Sequence, residues 1–222
     1  MTDRLRIYNG ALLLCGERAL NALDENTEPR HLLDLVWNDE GLRYCLEQGL
    51  WHFAMRSSEL DYNPSIEPSW GFARGFEKPD DWVSTAGVFS DERLNNPLLA
   101  YADEINYWFS DETIIYVQYV SDDAAYGMDL GKWPSSFTDY VKAYFAGRII
   151  HRLPGSAEKR EFLLGPPGRE DKGHVNRTLL IAKNKAAMVN PATFPSRGTW
   201  AAARHRGQGY RRDGGSTTNL IG

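Results

Sequence analysis

The chain has 222 residues, 42% of them hydrophobic, with 25 Lys+Arg against 30 Asp+Glu and a net charge of −5. That length and apolar content suit one ordinary domain with a real core, since single cores grow to roughly 250 residues before chains split; the net acidity argues against a protein that coats nucleic acid, which needs clustered Lys and Arg. No apolar run approaches the roughly 18 residues of a membrane span, and Met1-Thr2-Asp3-Arg4 shows no signal-peptide pattern, so the expectation is a protein made in a cytoplasm with no membrane partner.

The spacing of Ile7, Ala11 and Leu14, with Leu13 beside it, predicts a first helix from Arg4 to about Leu14 with one buried face, stopped by Gly16. A polar link from Asn21 to Glu28 follows, and Pro29 stands where a first helical turn accepts proline. From Arg30 to about Met55, apolar residues at Leu32, Leu33, Val36, Trp37, Leu42, Cys45, Leu46, Leu50 and Phe53 predict a long amphipathic helix, with Gly41 as the place for a break. Between Ser57 and Asn96, Pro64, Pro68, Pro79 and repeated turn residues favour extended segments and loops, which Trp70, Phe72, Phe76, Trp82 and Phe89 would pin to a core.

Ala102 to Phe109 alternates, with Ile105, Tyr107 and Phe109 on one face. Ser110-Asp111-Glu112 reads as a turn and Thr113 to Val120 as a β-branched and aromatic strand, so a β-hairpin is predicted over 102–120. Helix returns after Pro134, through Phe137, Tyr140, Val141, Tyr144, Phe145, Arg148 and Ile149, and ends before Pro154-Gly155. A further helix begins near Ala157, is interrupted by Gly165-Pro166-Pro167-Gly168, and resumes from about Asp171 to Met188.

Past Asn190 the apolar pattern dissolves. Residues 191–222 hold five arginines and one acid, Asp213, a charge of +4 that leaves −9 on residues 1–190. With six glycines, this segment is too poor in apolar residues to fold alone. The reading is therefore a mainly helical α+β body over 1–190, with the hairpin near 102–120 inserted in it, and a flexible Arg/Gly-rich arm over 191–222.

Chemistry-bearing patterns are sparse. Gly127-Met128-Asp129-Leu130-Gly131-Lys132-Trp133 has three residues between its glycines and Trp after Lys, whereas a phosphate loop needs four and a Ser or Thr for the magnesium ion. His31, His52, His151, His174 and His205 never fall at a metal-binding i, i+4 spacing, and Cys15 and Cys45, 30 apart, match no zinc pattern and read as buried thiols. No Gly-x-Ser-x-Gly elbow occurs. Asp80-Asp81, Asp111-Glu112 and Asp122-Asp123 are the candidates for a glycan-cleaving carboxylate pair, though all lie beside turn residues. No catalytic residue, cofactor or metal is assigned.

The basic segment admits three readings: a solvated end, a nucleic-acid tail using arginine on phosphate and Trp200 or Tyr210 for stacking, and a docking arm. The docking arm is favoured, because Arg and aromatic residues carry interface energy when buried and a segment that orders on binding covers a large surface. Its residues are Arg197, Trp200, Arg204, Arg206, Tyr210, Arg211 and Arg212.

Ile7-Tyr8-Asn9-Gly10-Ala11-Leu12, Gly16-Glu17, the link through Glu25 and Glu28, Gly49-Leu50-Trp51-His52-Phe53-Ala54 and Pro79-Asp80-Asp81-Trp82 stand in an order that resembles the head-to-tail connector, or tail tubular protein A, family of tailed bacteriophages. The resemblance covers roughly residues 5–190 and rests on short motifs in order, with no catalytic residue among them. It implies an antiparallel helical bundle with an inserted small β-layer and an extended C-terminal arm. It further implies a virion adaptor without enzymatic activity, assembled in the host cytoplasm as a ring, typically of twelve copies. Such a ring sits between the portal protein, toward which the arm reaches, and the next tail protein, a nozzle or tail-completion component, with genomic DNA passing through the channel. The rival readings are a virion glycan hydrolase using a carboxylate pair and a nucleic-acid-binding module using the basic tail.

Overall fold

Helix α1 (Arg4–Cys15) begins where Asp3, in extended conformation, accepts a hydrogen bond from the Arg6 N–H at 2.8 Å, satisfying one of the first turn's orphan donors. It ends at Gly16, whose φ of 75° suits a residue without a Cβ. The structure is a computed structural model and describes residues 2–68, 71–153 and 157–189. Among them are six α-helices and two small antiparallel sheets of three strands each, an α+β fold within the compact unit Met1–Val189.

The helix expected over 30–55 is divided. α2 (Glu28–Asn38) carries Pro29 in its first turn, an elbow follows at Asp39-Glu40, where Glu40 has φ of 55°, and α3 (Gly41–Glu47) continues. A 3-10 turn at His52–Ala54 then leads into strand β1 (Met55–Asp61). The elbow has a packing reason. α2 buries Leu33, while α3 buries Leu42, Cys45 and Leu46 in the same core, and one straight helix would carry the second set past it.

Helix α4 (Ser135–Ile149) is central, with buried residues on all sides. Phe145 meets Tyr8 and Trp37, whereas a Cβ on Gly147 would stand 3.2 Å from Leu164 of α5 (Ala157–Leu164) and from Val175 of α6 (His174–Val189). Gly165 and Gly168, with φ of 90° and 79°, interrupt the chain between α5 and α6. Around α4 the main core gathers Ile7, Leu12, Leu33, Leu46, Trp51, Phe137 and Ile149. The predicted face of α1 is corrected: Tyr8, Leu12 and Cys15 join Ile7 and Ala11 in the core, Leu14 is half-buried, and Leu13 is 77% exposed.

The predicted hairpin over 102–120 is also corrected. Strands β2 (Arg74–Glu77), β4 (Ala102–Asp103) and β5 (Tyr107–Ser110) form one sheet in the order β2-β5-β4. Strands β1, β3 (Trp82–Phe89) and β6 (Ile114–Ser121) form the other in the order β1-β6-β3. The turn at Ser110-Asp111-Glu112 exists, with Ser110 Oγ accepting from the Glu112 N–H at 2.9 Å, but it carries the chain from one sheet to the other. The local hairpin is β4 to β5, closed by the Glu104 N–H donating to the Tyr107 carbonyl, so Ile105 lies in a turn and is 86% exposed.

The two sheets share a second core of Phe76, Val88, Trp108, Ile115, Val117 and Tyr119. Alternation along β6 sends Ile115, Val117 and Tyr119 into it, while Val120, on the opposite face, joins the helical core with Val83 of β3. One strand thus serves both cores.

Candidate functional site

Where the helices meet the sheets, a polar network of two arginines and two carboxylates joins them. Arg56 on β1 donates to Asp81 at 2.8 Å, and the Ser121 and Tyr119 hydroxyls of β6 donate to the same carboxylate. Arg43 of α3 donates to Asp122 at 2.5 Å and to the Trp82 carbonyl at 2.8 Å. Burial raises the Asp81 carboxyl, but hydrogen bonds from Ser121 and Arg56 and the Arg56 charge outweigh it, so the net shift is downward. Asp122 shifts upward: burial dominates, the nearby Asp81 charge adds to it, and Arg43 offsets only part. The network ties α3, β1, β6 and the start of β3 by ion pairs and holds its carboxylates as fixed acceptors.

Two further clusters have the same character. Tyr8 donates to Asp34 at 2.8 Å and accepts from Arg4 at 2.8 Å, and Asp34 also takes Arg30 at 2.7 Å, which locks α1 to α2. In the β-layer, Lys78 has a side chain only 5% exposed, with Nζ 3.5 Å from the Trp82 ring centre, 5.1 Å from that of Trp108 and 2.5 Å from Asp103. Its charge is compensated by one carboxylate and two indole faces, which lets a lysine bridge the two sheets.

Two of the other nominated acids are used by nearby backbone: Asp111 accepts from the Ala73 N–H and Asp123 from the Ala125 N–H. The Gly127 to Trp133 segment is a packed turn in which the Trp133 indole donates to the Gly127 carbonyl at 2.8 Å. Cys15 and Cys45 are buried and free, and burial pushes the Cys15 thiol up to about 11, so neither offers a ready thiolate. Among the described residues no three His, Cys, Asp or Glu side chains gather as a metal-holding group, and no helix is long and apolar enough to cross a membrane.

Arg197, Trp200, Arg204, Arg206, Tyr210, Arg211 and Arg212 lie outside the described residues. The Asp81 network and the Lys78 cage escape sequence reading, because each carboxylate stands 25 to 79 residues from the cation or hydroxyl it holds. The surface offers open clefts. One of about 560 Å³ runs between α1 and α4 past Arg6, Asn9, Leu13 and Lys142. A more apolar one of about 270 Å³ lies among Trp51, Phe53, Phe137, Ala186 and Val189.

Fold and site together define an α+β protein whose described polar clusters join one layer or helix to the next. Scans against protein-family models and against curated proteins return no match for this chain.

Proposed function

We propose that the chain is a structural adaptor of a tailed-bacteriophage virion, a helical bundle with an inserted β-layer that forms a ring between the portal protein and the next tail component. In this reading residues 191–222 form the arm that docks on the portal, and DNA passes through the channel without specific binding.

The observation that carries the reading is where the family-like motifs fall. Tyr8 of the first locks α1 to α2. Trp51 of Gly49-Leu50-Trp51-His52-Phe53-Ala54 is buried between α3 and β1, its indole donating to the Leu46 carbonyl at 3.0 Å. In Pro79-Asp80-Asp81-Trp82, Asp81 takes Arg56 of β1 and the Trp82 carbonyl takes Arg43 of α3, which ties that helix to the sheet. Three of the five stretches behind the resemblance thus supply joints of a scaffold, which is what an adaptor needs.

The charge division supports the same reading. A body of −9 repeated around a ring makes a wall that repels phosphate if enough acids face inward, and arginine's planar fork suits carboxylates on a portal surface. Deleting residues 191–222 is expected to abolish capture by immobilised portal rings while leaving the far-ultraviolet circular dichroism of the body intact. Capture at the level of the full chain overturns the docking arm. Electron microscopy of the chain mixed with portal tests the ring itself.

A further inference from the structure

Helix α6 has two faces. Val175, Thr178, Leu179, Ala182 and Ala186 turn toward the helical core. On the opposite side Leu180, Ile181 and Met188 are 58%, 46% and 85% exposed. Its 16 residues include Arg177, Lys183 and Lys185 and not one Asp or Glu. Arg177 lies in the middle of the exposed face and the two lysines on its flanks, by the 100° per residue of a helix. None of the three makes an ion pair among the described residues.

The outward face of α2 is its complement. Leu35 is 65% exposed and is flanked by Glu28 and Asp39, with Glu40 at the elbow, while the one arginine of that helix, Arg30, is held by Asp34. Asp39 has a side chain 81% exposed and only a long contact, 3.9 Å, to Arg148. The two faces look in different directions. α2 packs on the Phe145 side of α4 through Trp37 and α6 on the Gly147 side through Val175, positions about 200° apart around that helix.

We infer that the cationic, apolar outer face of α6 docks on the acidic outer face of α2 of a second copy of this chain. The inference rests on the ring reading and names the surfaces that would make it. Exposed apolar side chains and opposite charges on the two facing helices give each contact a partner and a register. Because the two faces differ and lie on opposite flanks, the contact is head-to-tail, the kind that propagates around a ring; a self-complementary face would stop at a dimer.

The test uses full-length variants with one added surface cysteine, Leu35→Cys and Ile181→Cys, both at exposed positions, the native Cys15 and Cys45 being buried. Under mild oxidation an equal mixture is expected to give several times the disulfide dimer of either variant alone, and the double variant a ladder of multimers. Arg177→Glu with Lys183→Glu should lower the mixed yield about fivefold, and Glu28→Lys with Asp39→Lys on the other chain should restore it. Cross-linking of Ile181→Cys alone as strong as that of the mixture overturns the inference in favour of α6 pairing with itself. No cross-linking from a chain that still forms rings on portal overturns these faces and leaves the ring standing. A chain that stays single both in solution and on portal overturns both.

Discussion

Tyr8 places one hydroxyl between Arg4 and Asp34, and burial, with the Asp34 hydrogen bond, raises its pKa, so it stays a neutral donor. Tyr8→Phe keeps the ring in the core and removes that link. A loss of about 1–2 kcal/mol in urea unfolding is expected, with the slope unchanged. Asp81 and Asp122 should oppose each other in pH dependence. The depressed Asp81 contributes stability that is present above its unfolded pKa of about 4 and is lost as pH falls through the folded value. The raised Asp122 contributes stability that is present below about 4 and is lost as pH rises through its folded value. Melting temperature against pH checks both: Asp81→Asn should flatten the acid limb, and Asp122→Asn should remove part of the decline above about pH 4. Neither network was legible in the chain, because adjacent acids look alike until distant arginines select among them.

At the scale of elements, the helices were legible for reasons visible residue by residue. Gly16, Pro29, Pro134 and the Gly165 to Gly168 run punctuate them, and periodic apolar residues fill the intervals. What failed was partner choice. A turn such as Ser110-Asp111-Glu112 reverses the chain equally well within a sheet or between sheets, and alternation in β6 fits both outcomes. Likewise α1 turned Leu12 and Cys15 inward and Leu13 outward because α2 and α4 both pack on it. The joint between layers should be sensitive. Trp51→Ala is expected to cost about 3–5 kcal/mol in chemical denaturation. At Gly127 a Cβ would collide with the Ser121 carbonyl, so Gly127→Ala should lower the melting temperature clearly, by displacing the turn that holds Trp133.

At the scale of the whole molecule, the described residues, all before 190, already assemble two hydrophobic cores. Truncation after Val189 is therefore expected to leave the thermal unfolding transition in place by scanning calorimetry, and a shift of many degrees would show that the last 33 residues carry folding energy. Length, composition and punctuation by themselves determined an acidic α+β body followed by a basic segment, because charge is additive along a chain and helix signals are local. Only the tertiary structure decided that β5 and β6 belong to different sheets, that Arg43 ties α3 to one sheet and Lys78 bridges the two sheets, and that α6 keeps a second, cationic face turned outward. Each of these depends on which distant side chains share a surface, and local sequence carries no record of that.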